Sequence, residues 1–132
     1  MLVPCEVATK CVLPVVRAMI AKELMTTHGL KQKDAAKLLG VSQPAISLYC
    51  RRIRGKAIDL ENDHEITLLI RNMTTLLATT SLSYKDFVPK LCEICRTIRA
   101  KGLLCKMHKA FDPSMVIEEC GLCLRPSAVT CK

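Results

Sequence analysis

An all-α fold is the class this sequence predicts, and three observations predict it. Half of the 132 residues are hydrophobic, yet only 3% are aromatic and none is Trp. The core must therefore be built from Leu, Ile, Val, Ala and Met, the material of packed helices. Glycine is scarce, at five residues. No strict alternation of apolar and polar residues, the mark of a half-buried strand, runs along the chain. The length suits one domain, or a small domain with an appended module.

Taken in order, residues 4–11 read as a short helix opened by Pro4, a good first-turn residue. Residues 14–28 read as a stronger helix. Val15, Ala18, Met19, Leu24 and Met25 approximate its apolar stripe, and Gly29 stands where a C-terminal cap belongs. The stretch from Leu30 to Gly55 reads as helix, tight turn, helix and basic exit, followed by a loop to Leu60. Asn62 or Asp63 caps a helix reaching about Ala78, with Ile66, Leu69, Ile70, Met73, Leu76 and Leu77 as its buried face. Ser83 and Asp86 form a capping-box-like pair for a helix to about Lys101. Pro89 either kinks that helix or marks its true first turn. Gly102 ends it. Residues 103–110 add one or two turns before Asp112-Pro113, and the tail from Glu118 reads as irregular.

Charge divides the chain. Residues 1–56 carry ten Lys/Arg against three Asp/Glu, and residues 57–132 carry ten against nine, within a total of +8. A basic half beside a balanced half points to a polyanionic partner for the first half, with a solubilising surface as the plainer alternative.

The most informative stretch is Gln32 to Tyr49. Ala36 stands four residues before Gly40, and Ile46 six after it. A small residue at Ala36 lets two helices cross closely. Gly40 takes the positive φ of a tight turn at little cost. Val41, Ile46 and Tyr49 are placed to pack the second helix on the first. Ser42 suits its N-cap and Pro44 its first turn.

GVSQPAISLY, at 40–49, resembles the turn and recognition helix of the lambda-repressor-like (XRE-type) helix-turn-helix regulators. The longer stretch from PCEVATKCVLPVVRAMIAKEL to RRIRG is similar to small archaeal regulators of that class, over roughly residues 4–60. Some of those relatives carry a ligand-binding domain next. A cysteine-rich segment stands there in this chain, so their ligand is not carried over. The resemblance implies that residues 42–52 enter the major groove of double-stranded DNA, from Ser42, Gln43 and Pro44 onward. It places Gln43 and Ser47 as polar readers of bases, with Gln able to pair bidentately with adenine. Ala45 or Leu48 would touch a thymine methyl. Gln32 would bond a phosphate, and Arg51, Arg52, Arg54 and Lys56 would supply the salt-sensitive part of affinity. The plainer reading is a helical scaffold with a solvated basic end.

Cysteines mark the rest. Cys92-x2-Cys95, Cys105 and Cys120-x2-Cys123 place five thiols within 32 residues. Two C-x2-C pairs in a chain of cytosolic character are a metal signal. Four thiolates repel unless a cation or cluster neutralises them, and binding would supply folding free energy that the tail lacks. An iron–sulfur cluster is the first expectation, because it takes all-cysteine ligation at irregular spacing, with Cys105 able to replace one of the four. Zinc is the alternative, held by Cys92, Cys95, Cys120 and Cys123. The 24-residue gap between the pairs is longer than the usual zinc ribbon allows. Disulfides or unliganded thiols are the third reading. His108 is read as solvated rather than ligating, and Cys131 as free or disordered. Cys5, Cys11 and Cys50 are read as ordinary core cysteines, although oxidation of Cys50 beside the basic exit would disturb DNA contact.

The expected organisation is a helix-turn-helix DNA-binding domain at 1–60, connecting and dimerising helices at 61–90, and a cysteine-rich metal or iron–sulfur module at 91–132. The expected function is a sequence-specific transcriptional regulator acting as a homodimer, its dimer contact in residues 66–77 and the following helix. An adaptor with a purely structural zinc site is the alternative. No Ser/His/Asp system and no phosphate-binding glycine loop argues for an enzyme. The C-x2-C pairs lack the βαβ context of a thioredoxin-like protein. No membrane span and no leader is expected, since Arg17 interrupts the apolar run at 12–21, and the chain reads as cytoplasmic.

Overall fold

The computed structural model describes residues 4–51, 60–80 and 82–111, and within them every regular element is helical. The first is a single rod. Helix α1 (Pro4–Val7) continues through a π-helical segment (Ala8–Val12) into α2 (Leu13–Thr26). Val7, Val12 and Leu13 all keep right-handed helical backbone, so no break separates the two helices expected from the sequence. Pro14 explains the π segment. It has no N–H to give, and its ring crowds the carbonyl four residues back. Just upstream the backbone widens, and Leu13 N–H reaches five residues back to the Ala8 carbonyl.

The buried stripe fits that geometry. Val7, Ala8, Cys11, Val12, Val15, Val16, Ile20 and Leu24 are all buried and recur every fourth residue. In a straight α-helix a four-residue repeat drifts about 40° per turn. The wider π turns offset the drift over Ala8–Val12, and beyond them, in α2, the buried side broadens to take in Ala21. Of the stripe expected for α2, Val15 and Leu24 are buried, while Ala18, Met19 and Met25 lie at its half-buried edges. Gly29, at φ +67°, turns the chain, and Leu30 N–H returns to the Leu24 carbonyl at 3.1 Å.

Helices α3 (Gln32–Leu39) and α4 (Gln43–Cys50) come next, then α5 (His64–Thr79), α6 (Tyr84–Ala100) and α7 (Cys105–Phe111). Asp63 caps α5, its Oδ1 accepting from Ile66 N–H at 3.1 Å. Ser83 caps α6: its Oγ accepts from Asp86 N–H at 3.3 Å and donates to Asp86 Oδ2 at 2.7 Å. Pro89 therefore lies inside α6, five residues past its start, with its side chain exposed. Gly102, at φ +73°, closes α6 in a Schellman motif: its N–H meets the Arg99 carbonyl and Leu103 N–H meets that of Ile98.

α2 is the hub. It packs on α3 and α4 to one side and on α5 to the other, α6 lies on α5, and α7 meets α1. The main core joins the rod's stripe to Leu60, Ile66, Ile70, Met73, Leu77, Ile94, Ile98 and Leu104. The apolar face of α5, expected as the dimer contact, is thus engaged within the chain, and of its large side chains only Leu68 is exposed, by 49%. Thr74 is buried too, its hydroxyl donating to the Ile70 carbonyl at 2.7 Å. Arg99 is buried and donates from Nη1 to Cys5 Sγ at 3.6 Å, tying α6 to α1. Lys101 Nζ bridges Asp63 at 3.2 Å and Glu65 at 2.8 Å, pinning the end of α6 to the start of α5. Among the described residues no helix is long and apolar enough to cross a membrane.

Candidate nucleic-acid interface

A second, smaller core builds the α3–turn–α4 unit. Ala21 of α2, Ala36 of α3 and Ala45, Ile46 and Tyr49 of α4 are buried together, with Ala18, Met25, Leu39 and Val41 at the margin. Three alanines, one on each helix, let the backbones approach. Ile46, fully buried, is the branched side chain among them. The turn is a Schellman motif: Gly40 has φ +67°, its N–H reaches the Lys37 carbonyl at 3.4 Å, and Val41 N–H reaches that of Ala36 at 3.0 Å. Ser42 then starts α4, its Oγ accepting from Ala45 N–H at 3.2 Å.

Burying Ala45, Ile46 and Tyr49 fixes which side of α4 turns outward. At 100° per residue the opposite side is centred on Ser47, Arg51 and Pro44, flanked by Gln43 and Leu48. Gln43, Pro44 and Arg51 are exposed, and Ser47 and Leu48 half-exposed. Ser42 is exposed, with its oxygen already accepting the cap bond while its O–H can still donate. Ala45 faces inward at 7% exposure, which removes it as a thymine-methyl contact and leaves Leu48 as the outward aliphatic. Gln32 is half-buried in the first turn of α3. Arg52, Arg54 and Lys56 lie outside the described residues.

Lys31, Lys33 and Lys37 on and before α3 are exposed, as is Arg51. Among the described residues none of these four is held in an ion pair, whereas Lys22 lies 3.6 Å from Glu61 and Arg71 3.9 Å from Glu23. The lysines of α3 were not singled out in the sequence. Their signal was an i, i+4 pair of cations, Lys33 and Lys37, on a helix whose other face is alanine.

The cysteines are distributed differently. Cys92 and Cys95 lie one turn apart on α6, both half-buried, with Cys95 against the main core. Cys105 opens α7 and is half-buried. Among the described residues no three His, Cys, Asp or Glu side chains gather into a group that could hold a metal ion. Cys120, Cys123 and Cys131 lie outside the described residues, so of the expected ligands the described part holds one C-x2-C pair and Cys105. His108, read as solvated, is instead buried at 8% exposure. Cys11 is buried as expected, and burial raises its thiol pKa against a smaller opposing effect of Lys10. Cys5 is half-buried. Cys50 departs from its reading as core, being exposed at the end of α4. Comparison with protein-family models, curated proteins and solved structures finds no match for this chain.

Proposed function

We propose that the chain is a sequence-specific binder of double-stranded DNA that reads the major groove with α4. The observation that carries this reading is the two-sidedness of α4. Its inner side is locked by Ala45, Ile46 and Tyr49, and its outer side offers Gln43, Ser47, Leu48 and Arg51. With its side chains an α-helix is about 10–12 Å across, which a major groove about 12 Å wide admits. Gln43 is the candidate adenine reader, Leu48 the candidate thymine-methyl contact, and Ser42, Gln32 and Arg51 the candidate phosphate donors. Lys31, Lys33 and Lys37 add cationic surface that no ion pair ties down among the described residues, with Asp34 the one carboxylate on the same helix. One such helix reads few base pairs, so the working form is a homodimer on a two-fold site.

The test is selection from a genomic duplex library by the full reduced chain at low salt, followed by titration and footprinting of what is retained. A shared sequence, protected as two half-sites one helical turn or a multiple apart, supports the reading. Retention of no duplex, or equal retention of every duplex, defeats it.

We further propose that Cys92 and Cys95 contribute to an iron–sulfur cluster together with Cys120 and Cys123, with Cys105 as substitute or fifth participant and zinc as the alternative ion. The i, i+3 placement of two partly accessible thiols on α6 supports this half of the ligand set. Iron and sulfide analysis of oxygen-free protein decides it. Stoichiometric iron and sulfide, lost in Cys92→Ser and Cys95→Ser, is the expected result. One zinc per chain without sulfide leaves the structural module, and no metal removes both.

A further inference from the structure

Where α4 ends, Cys50 Sγ lies 3.6 Å from Met25 Sδ on α2. Cys50 is exposed. Met25 is half-buried and packs against both the main core and the smaller core of α3 and α4. The thioether is thus held at the seam between the two cores, and the thiol closes over it from solvent. We propose that Met25 and Cys50 together bind a soft monovalent metal ion, copper(I) or its chemical analogue silver(I).

Ligand chemistry selects the ion. Thiolate and thioether sulfur are soft donors that favour copper(I) over harder ions. Zinc takes four ligands in closed sites, and no cluster of three His, Cys, Asp or Glu stands among the described residues. A monovalent d10 ion is satisfied by two or three soft ligands. The spacing also fits. Two sulfurs each about 2.3 Å from a shared ion, the metal–sulfur length of thiolate sites, lie roughly 4.0 Å apart at the trigonal angle of three ligands and roughly 4.6 Å apart at the linear angle of two. The observed 3.6 Å needs to open by about 0.4 Å for the first and about 1 Å for the second, which methionine's three rotatable bonds and the exposed position of Cys50 supply.

Charge balances without any redox step. The thiol releases its proton as the ion arrives, so Cys–SH and M⁺ give Cys–S–M and H⁺, and the thioether donates a lone pair. No net charge enters a surface flanked by Arg51. The site uses none of the cysteines between 92 and 123 and stands whether or not α4 meets DNA.

The experiment adds silver(I) stepwise to the full reduced chain without oxygen. It follows the methyl groups of ¹³C-labelled methionine by NMR and the alkylation of Cys50 by mass spectrometry. The chain has nine cysteines, so a bulk silver count is uninformative, and both readouts are local to the site. The Met25 methyl resonance, assigned by its absence in Met25→Leu, should move in the parent and stay fixed in Cys50→Ser. Losing even an outer-shell partner costs metal affinity about 10–100-fold, so protection of Cys50 should need at least about tenfold more silver in Met25→Leu. A Met25 methyl that stays put after every thiol is saturated overturns the proposal. So does equal protection of Cys50 with and without the thioether. Correlating the Met25 methyl with its own backbone amide assigns it in the parent as well, so the first of these results stands even if a variant fails to fold.

Discussion

Replacing Ile46 by Ala is the sharpest probe of what holds α4 in place. Ile46 is fully buried in a cluster otherwise made of Ala21, Ala36, Ala45 and Tyr49. The change removes three carbons. At about 0.8 kcal/mol per buried methylene the lost transfer free energy is about 2.4 kcal/mol. The buried neighbours are mostly alanines on closely crossing helices, and only Met25 and Leu39 at the margin are long enough to swing part-way into the space. A residual cavity therefore adds about 1 kcal/mol, within the range of about 2–5 kcal/mol seen for large aliphatic residues replaced by Ala. Against a total stability of about 5–15 kcal/mol this is a large loss. Urea unfolding followed by far-UV circular dichroism should show an unchanged slope. For a slope of about 2 kcal/mol per molar, the midpoint should fall by about 1.7 M. Ile46→Val should cost about 1 kcal/mol. A loss below about 1 kcal/mol for Ile46→Ala would mean that α4 is not anchored through this side chain.

Four further outcomes follow from the same geometry. Gly40→Ala places its Cβ where no atom lies within 4 Å. Its cost is the left-handed backbone alone, about 1–2 kcal/mol by urea unfolding, and a loss as large as that of Ile46→Ala would point to a clash instead. Pro89→Ala restores an N–H inside α6 and should stabilise the chain by about 1–3 kcal/mol, a gain that a lower thermal midpoint would contradict. Asp63 is held below its ordinary pKa of 3.8, chiefly by the Ile66 N–H and then by Lys101, so its contribution is present above that pH and lost as pH falls through the folded value. Lys101 is raised above 10.5 by Glu65 and Asp63, so its contribution is present below that pH and lost as pH climbs through the folded value. Asp63→Asn should flatten the acid limb of the stability curve, and an unchanged limb counts against this cap. On a selected duplex, Arg51→Ala should lower the salt slope by about 1 across all sequences, whereas Gln43→Ala should relax one base position worth about 1–3 kcal/mol. Identical effects from both would remove the division between positioning and reading.

What was legible in the sequence was mostly its punctuation. Asp63 was one of two caps named for α5, Ser83 starts α6, Ser42 starts α4, and Gly40 and Gly102 end helices, because each carries its reason in its own side chain. The packing of Ala36 with Ile46 and Tyr49 was legible too, since a turn glycine fixes the spacing on either side. The face of α2 was not. A stripe read at the α-helical period misses Val16 and Ile20, because α2 is buried on two sides, against α5 and against α3 and α4, and a single stripe does not describe it. Ala45, Cys50 and His108 were misjudged for another reason. Small or amphipathic side chains are compatible with either side of a helix, and only the neighbouring elements decide. The cysteine spacing could be read, but spacing alone does not bring Cys105 to Cys92 and Cys95.

The meeting of α1 with α7 sets the order in which this molecule comes together and apart. Contacts among α2, α3 and α4 join neighbours in sequence and cost little loop entropy to close. The α1–α7 contact closes nearly the whole described chain, so it forms late and opens early. Cys11, buried at 1% exposure in the π segment of the same rod, belongs to the main core and is shut off from reagents while that core is closed. The rate at which its thiol is trapped, set beside the rate of global unfolding, therefore tells whether the rod leaves the main core by itself or only with the rest of the fold.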